Sequence, residues 1–246
     1  MKLLIDADSI IWRAGCVKEA NEDSKHGLVC ALSNTKLLMN KIINRFPDDE
    51  YSVYIGGVDK SNFRYTIYPE YKANRINAPK PVQFDPIRNY LMKYYGAQEV
   101  NGEETDDRVS VLQCQMNQSW DPESIPNTMI VSIDKDLNNT PGMHYNYVKD
   151  EQYFVDEIQA LRNFYLQILT GDRADNVPRV KKGWKQKEAE ESIITATTEK
   201  ELLDIVYKEV YNVLNDNRQA IEFIHRNGRL LWMRREENQL WEIPIF

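Results

Sequence analysis

The chain is poor in the residues that build disulfide frameworks and thiolate or imidazole metal sites. Its 246 residues include three cysteines and three histidines. Cys16, Cys30 and Cys114 form no Cys-x-x-Cys pair, and an odd number of thiols cannot all pair with one another. A disulfide framework and a zinc site are therefore both disfavoured, and the cysteine usage fits a reducing cytoplasm.

Long apolar runs and nucleotide-binding loops are also missing. The apolar stretch at the start of the chain ends at Asp6, which is too short for a signal peptide or a membrane span, so we expect a protein that is neither secreted nor embedded in a membrane. Neither Gly-x-x-x-x-Gly-Lys-Ser/Thr nor Gly-x-Gly-x-x-Gly occurs, which disfavours nucleotide-driven and dinucleotide chemistry. The length suits one large domain, or a domain with an appended subdomain.

The net charge of −7 argues, as a global sum, against a polyanionic partner. The bases are nevertheless concentrated in two patches, at residues 60–93 and 170–188. The first patch interleaves its bases with aromatic residues, a composition that suits single-stranded nucleic acid, and the second could contact a duplex phosphate backbone. A solvated surface explains the first patch equally well from composition alone.

Apolar patterning predicts alternating strands and helices in the first part of the chain. Short apolar runs predict strands at residues 3–5, 52–55 and 129–133. Helical spacing of apolar residues predicts helices at 31–45, 86–95, 107–117, 156–169, 186–195 and 199–214. The alternation indicates an α/β fold with a mostly parallel sheet covered by helices, followed from about residue 150 by a helical subdomain.

Carboxylates cluster at the predicted ends of these elements. The four clusters comprise Asp6 and Asp8, Asp134 and Asp136, the five acids Glu99, Glu103, Glu104, Asp106 and Asp107, and Asp172 with Asp175. One aspartate at a strand end is explained by helix capping, but four clusters are not. Because functional groups of parallel α/β sheets collect at the carboxyl ends of the strands, we expect an all-oxygen site. Such ligands select Mg²⁺ or Mn²⁺, and their number indicates two ions of the kind that hydrolyse phosphodiesters.

In their order along the chain, these motifs resemble the 5′ nuclease family of flap endonucleases and 5′→3′ exonucleases, most of all its compact bacteriophage type. The segments that carry the resemblance are 4–6, 68–75, 102–107, 134–137 and 171–178. The resemblance implies a PIN-like nuclease domain over residues 1–168 with a helical arch at about 64–88. It further implies a helix–three-turn–helix subdomain over 169–246 that holds duplex DNA and packs on the first domain.

The resemblance also implies roles for individual residues. The metal-binding carboxylates would be Asp6, Glu104, Asp106, Asp107, Asp134, Asp136, Asp172 and Asp175, with the last three around the second ion. Lys72 and Arg75, at the base of the arch, would act in catalysis together with Asp6 and Asp134. Nucleic acid would be bound by Arg64, Tyr68, Lys72, Arg75, Arg179, Lys181, Lys182, Lys185 and Lys187.

The implied substrate is DNA with a 5′ end or flap, or an RNA–DNA hybrid, cut in replication or recombination. The cofactor would be two Mg²⁺ ions, for which Mn²⁺ can substitute. We expect a monomer that cooperates with replication proteins in the cytoplasm, which is the host cytoplasm if the sequence is of phage origin.

The sequence departs from the family pattern at three places. The arch, at about residues 64–88, is short, which argues against threading of a free 5′ end through a closed hole. The family has a further aspartate shortly before the Phe63-Arg64 pair, where this chain reads Gly56-Gly57-Val58-Asp59, so Asp59 is the candidate replacement. The hairpin after Pro178 has several glycines in the family and here only Gly183, which argues against a K⁺ site in the hairpin and for binding by lysine side chains.

Two other readings stay open at this point. A haloacid-dehalogenase-like phosphatase would explain Asp6-Ala7-Asp8 and the Gly171–Asp175 segment, but it leaves the acids at 104–107 and the basic, aromatic segment unexplained. A relative that binds nucleic acid without cutting it would share every motif, and only a cleavage assay separates it from a nuclease.

Overall fold

The computed structural model describes residues 1–57, 62–76, 78–117, 126–184 and 186–246. They divide into two compact units. Unit 1 consists of Met1–Ser61, Pro79–Leu137 and Gly142–Phe154, and unit 2 consists of Asn62–Ala78, Asn138–Pro141 and Val155–Phe246. A search of the described residues finds no helix that combines the length and apolar character needed to cross a membrane.

Six strands form one sheet in the described part of the chain. They are β1 (Lys2–Asp6), β2 (Glu50–Gly56), β3 (Gln98–Val100), β4 (Thr128–Val131), β5 (Gly142–Asn146) and β6 (Glu151–Val155), arranged in the order β3-β2-β1-β4-β5-β6. The pairs β1–β2, β1–β4, β2–β3 and β4–β5 are parallel. The predicted α/β class with a mostly parallel sheet is therefore confirmed.

Helices account for most of the remaining described residues. They are α1 (Asp8–Gly15), α2 (Lys25–Arg45), α3 (Arg64–Ile67), α4 (Phe84–Tyr95), α5 (Thr105–Met116), α6 (Glu157–Thr170), α7 (Gln186–Ile193), α8 (Glu199–Leu214) and α9 (Asn217–Leu231). Short 3-10 turns lie at Ala73–Arg75 and Lys135–Asn139. Each of the six predicted helices is present, whereas α1, α3 and α9 were not predicted.

Parallel pairing brings the ends of three strands together at one edge of the sheet in unit 1. In register, Ile5 of β1 lies opposite Val53 of β2 and Val131 of β4. The central strand β1 is apolar and buried from Leu3 to Ile5, which holds it firmly in the middle of the sheet. The residues that follow β1, β2 and β4 are therefore neighbours in space.

Unit 2 has its own apolar core, built from α6, α8 and α9. Phe164 of α6, Val206 of α8 and Ile224 of α9 are buried in it, together with Tyr71 from the segment before α4. This core explains why the compact units differ from the predicted boundary after residue 168. The apolar face of α6 and the segment 62–78 pack with the C-terminal helices, so the segment predicted as an arch (64–88) is divided after residue 78.

The loop after α6 is closed by its own backbone. Asp172 and Val177 exchange two backbone hydrogen bonds, of 3.0 and 2.7 Å, and Asp172 Oδ1 accepts from the backbone N–H of Ala174 at 2.6 Å. Gly171 begins this loop with φ 64° and ψ −177°, a conformation that only glycine adopts readily. A Cβ atom at this position would lie 2.5 Å from the carbonyl oxygen of Val177.

We expect Gly171→Ala to lower the free energy of unfolding by about 3 kcal/mol, because backbone strain and a clash with backbone atoms act together. Gly183→Ala is the matched control. Its φ of 82° is equally positive, but nothing lies within 4 Å of an added Cβ, so a loss of only about 1 kcal/mol is expected. Urea unfolding followed by circular dichroism measures both, and equal losses would contradict the steric argument.

Candidate active site

Asp6 lies at the carboxyl end of β1 and is almost completely buried, with 3% of its surface exposed. The Ser132 hydroxyl donates to its Oδ2 at 2.8 Å, and the backbone N–H of Asp8 donates to its Oδ1 at 3.1 Å. Ser132 follows β4 directly, so the adjacent strand supplies the group that orients this carboxylate. Ser132 was not predicted, and its only signal in the sequence is a small polar residue at the end of an apolar strand.

Asp134 is connected to Asp6 through the same serine. The backbone N–H of Asp134 donates to Ser132 Oγ at 3.0 Å, and the backbone N–H of Asp136 donates to Asp134 Oδ1 at 2.9 Å. Asp134 is exposed and Asp136 half-buried. The turn after β4 thus repeats the turn after β1, where an aspartate accepts from the N–H two residues further along.

Asp8, the first residue of α1, leans across to the neighbouring strand. Its two carboxylate oxygens accept from the backbone N–H of Gly56, the last residue of β2, at 3.0 and 3.1 Å. The Thr105 hydroxyl at the start of α5 donates to Asp8 Oδ2 at 2.7 Å. Asp8 was noted in the sequence as a strand-end acid but was not included among the predicted metal ligands.

These carboxylates have no basic partner in the part of the chain that the structure describes. Within the described residues, no lysine, arginine or histidine forms an ion pair with Asp6, Asp8 or Asp134. Burial, followed by the charges of Asp8 and Asp134, raises the pKa of Asp6 to about 7, although the hydrogen bond from Ser132 opposes the shift. A bound cation would relieve this unfavourable electrostatic environment.

The five acids at 99–107 separate into two groups. Glu99 pairs with Arg88 at 2.6 Å and the buried Glu103 pairs with Arg108, so these two are structural. The other three, Glu104, Asp106 and Asp107, lie at the start of α5. Glu104 and Asp107 form a capping box, and the positive end of the helix dipole favours their charge.

The donor chemistry in unit 1 fits a hard divalent cation, because the side chains at the strand ends offer only oxygen. They do not form a ready-made chelate. Among the residues that the structure describes, no group of three or more Asp, Glu, His or Cys side chains is assembled as a metal site. Asp6, Asp134 and the acids of α5 therefore remain predicted ligands. The oxygens of Asp6 accept from Ser132 and from the backbone of Asp8, and Asp134 Oδ1 accepts from the backbone of Asp136.

Unit 2 contains the predicted catalytic cations and the last two predicted metal ligands. Lys72 Nζ lies 3.6 Å from Asp175 Oδ2, the Tyr71 hydroxyl donates to the same oxygen at 2.7 Å, and Arg75 forms an ion pair with Asp175 Oδ1. The backbone N–H of Lys72 also donates to the carbonyl of Asp175 at 2.9 Å. Lys72 and Arg75 are thus held against the loop that begins at Gly171, with Asp175 as their shared anion.

The predicted DNA-contacting residues differ in their exposure to solvent. Arg64 is only 1% exposed, and its guanidinium donates to the carbonyls of Leu230 at 2.8 Å and Trp232 at 3.0 Å, at the C-terminal end of α9. We therefore assign Arg64 a structural role and leave it out of the proposed DNA-binding set. The sequence could not reveal this, because a buried arginine and an exposed one look alike in a basic patch.

The other members of that set lie mainly at the surface of unit 2. Arg179, Lys182 and Lys187 are exposed, whereas Lys181 pairs with Glu209 and lies 4.4 Å from the ring centroid of Trp184. Tyr68 is half-buried, and its hydroxyl donates to Glu70 at 2.8 Å. Asp59 and Lys185 lie outside the described residues.

Comparisons with known proteins identify the family to which the chain belongs. Residues 1–164 match the family model of the 5′-3′ exonuclease N-terminal resolvase-like domain. The chain therefore belongs to this family, as its motifs predicted. It is 28% identical over 196 residues to a 5′-3′ exonuclease of Buchnera aphidicola subsp. Schizaphis graminum, and 32% identical over 130 residues to a DNA polymerase I of Rhizobium leguminosarum.

The matched regions are only parts of those two proteins. The alignment with the Buchnera exonuclease covers 73% of this chain and 65% of the relative, and the alignment with the polymerase covers 48% and 12%.

Solved structures support the fold as a whole. A bacteriophage T5 5′-exonuclease with bound zinc superposes with a TM-score of 0.64, at 16% identity, over 94% of this chain and 89% of that chain. A T5 flap endonuclease in a pseudo-enzyme-product complex with DNA and metal ions gives a TM-score of 0.63, with 94% and 88% coverage. The catalytic core of Rad2 with DNA substrate gives 0.51, with 92% and 70% coverage.

The raised pKa of Asp6 predicts a pH-dependent stability of the metal-free protein. A carboxyl group whose pKa is higher in the folded state stabilises the fold at low pH, and this contribution is lost as the pH rises from about 4 to about 7. The full shift corresponds to roughly 4 kcal/mol as an upper bound. Urea unfolding in EDTA should show a declining free energy over this window, and Asp6→Asn should flatten the decline; an unchanged slope would contradict the assignment.

The burial of Arg64 predicts a loss of stability on substitution. Arg64→Met should lower the free energy of unfolding by roughly 3 kcal/mol, because two buried carbonyls lose a charged donor. Arg179→Met, at an exposed position, should change stability by less than about 0.5 kcal/mol but weaken DNA binding. Denaturant unfolding and fluorescence anisotropy with a labelled duplex measure the two effects, and a stable Arg64→Met protein with weakened DNA binding would restore Arg64 to the DNA-binding set.

Proposed function

We propose that the protein is a metal-dependent 5′ nuclease that hydrolyses phosphodiester bonds near the 5′ end of DNA carrying a free end or a flap. The observation that carries the proposal is the set of uncompensated carboxylates at the ends of β1 and β4, in a chain that belongs to the 5′-3′ exonuclease family. Relatives bound to divalent metal ions and to DNA support both the cofactor and the substrate class.

The carboxylates of unit 1 would hold the divalent cation. The Asp6 carboxylate is held by the Ser132 hydroxyl, and the Asp134 carboxylate accepts from the backbone N–H of Asp136, so both side chains are oriented before any ion binds. When bound, Mg²⁺ or Mn²⁺ supplies Lewis acidity toward a phosphate and its attacking water. The role of the protein is to present hard oxygen ligands at a fixed edge of the sheet, and Asp136, in the same unit, is proposed as a further ligand.

The cations of unit 2 would stabilise charge on the reacting phosphate. Lys72 and Arg75 lie on one short segment and already share the carboxylate of Asp175 as a counterion. A phosphate is a competing anion for the same two side chains, and charge that develops on it in the transition state strengthens the attraction. The exposed bases Arg179, Lys182 and Lys187 are proposed to contact the duplex backbone.

The proposal predicts a specific pattern of loss among variants. Asp134→Ala should abolish cleavage of a 5′-labelled flap duplex in Mg²⁺ while leaving binding in EDTA within about twofold, because it removes a metal ligand and no phosphate contact. Lys72→Ala should slow cleavage about 100-fold. Glu70→Ala, two residues away and exposed, is the matched control and should change the rate less than threefold.

Gel analysis of product lengths and anisotropy measurements of binding provide the readouts. Binding by the unaltered protein with no cleavage in either Mg²⁺ or Mn²⁺ would reject the nuclease in favour of a non-catalytic relative. Parallel assays on flap, blunt and RNA–DNA hybrid duplexes identify the preferred substrate. Covalent phosphorylation of Asp6 during turnover would instead indicate a phosphatase.

A further inference from the structure

The end of β2 has no acid of its own in the described residues. The neighbouring strand β1 ends in Asp6, and β4 leads through Ser132 to Asp134, whereas β2 ends at Gly56 and is followed by Gly57. The central β1 pairs with β2 on one side and β4 on the other, so all three ends share one edge of the sheet. As far as the structure describes the chain, the end of β2 therefore contributes backbone atoms but no charge.

The carboxylate of Asp8 occupies that place. Both of its oxygens lie within 3.1 Å of the backbone nitrogen of Gly56, although Asp8 belongs to the turn after β1 and not to β2. Thr105 binds Oδ2 from the other side, at the helix end that also holds Glu104, Asp106 and Asp107. Asp8 thus lies between the acids of β1 and the acids of α5.

Gly56 is shaped to admit this carboxylate. A Cβ atom built on Gly56 would lie 2.8 Å from Asp8 Oδ2, closer than real Cβ atoms approach a neighbour. Any side chain at position 56 would therefore point into the space that Asp8 fills. The Asp8 carboxylate therefore fills the space that a side chain on Gly56 of β2 would occupy, although Asp8 itself is the first residue of α1.

We propose that Asp8 supplies the carboxylate that β2 lacks, as a further acid of the divalent-metal site, in place of Asp59. The inference rests on the proposed metal-dependent function and adds one residue to its ligand set. A neutral side chain of the same shape could also accept hydrogen bonds from Gly56 and Thr105. The negative charge of Asp8 is not needed for these bonds, but it would strengthen binding of a cation.

The test measures binding of Mn²⁺ to the DNA-free protein. The readout is the decrease in the electron paramagnetic resonance signal of the free ion. Asp8→Asn keeps the size and one acceptor oxygen of the side chain but removes the charge, and it should weaken binding of the tightest ion at least 10-fold. Asp85→Asn, an exposed acid in the first turn of α4, makes the same change in net charge and should leave the affinity unchanged. Circular dichroism confirms that both variants are folded.

Two further variants test whether the position of the Asp8 carboxylate matters as well as its charge. Gly56→Ala should weaken Mn²⁺ binding because its methyl group displaces the Asp8 carboxylate. The double variant Asp8→Ser/Gly56→Asp returns the carboxylate to β2 and should restore most of the affinity. Both outcomes support a ligand position that either strand can supply.

Several results would overturn the inference. Wild-type affinity in Asp8→Asn would assign Asp8 a structural role only. A loss confined to Asp59→Asn would make Asp59 the replacement acid, and in both cases the proposed nuclease activity would stand. If the unaltered protein bound no Mn²⁺, the proposed metal dependence would fail together with the inference.

Discussion

The edge of the sheet in unit 1 is organised around one buried carboxylate, that of Asp6. Asp6 is buried at the end of the central strand, next to Asp8 and Asp134, and no basic side chain among the described residues pairs with these three. Crowded carboxylates lower stability unless a cation or a set of donors offsets them. Here neutral donors engage both oxygens of Asp6, both of Asp8 and one of Asp134, so the geometry is maintained without a basic partner among the described residues.

The part of this arrangement that follows from local sequence was predictable. Asp6 and Asp134 each follow an apolar strand, and parallel strands place such residues at a common edge. The contribution of Ser132 was not predictable, because it depends on the pairing of β1 with β4 across more than 120 residues of chain. The contact of Asp8 with Gly56 was missed for the same reason, since only the fold places the turn after β1 against the end of β2.

Helices with a clear apolar stripe were predicted well, and α8 matches its predicted bounds of 199–214. The helix α9 was missed although it is amphipathic, because most of its residues are polar and only a few, such as Ala220 and Ile224, are buried. The strands β3, β5 and β6 lie away from the centre of the sheet and mix polar with apolar residues, so no unbroken apolar run marks them in the sequence. The net charge of the whole chain was a poor guide to the substrate. Without the eight proposed metal ligands, the chain has 31 bases against 30 acids.

The two units are interleaved along the chain, and this limits how the protein can be divided. Residues 62–78 belong to unit 2 yet lie between two pieces of unit 1, and the strand β5 comes after a short piece of unit 2. The family match ends at residue 164, inside α6, whose buried face belongs to the second core. A fragment that ended there would leave Tyr71 and half of α6 without their packing partners. The nuclease domain therefore depends for its stability on the helices that follow it in the chain.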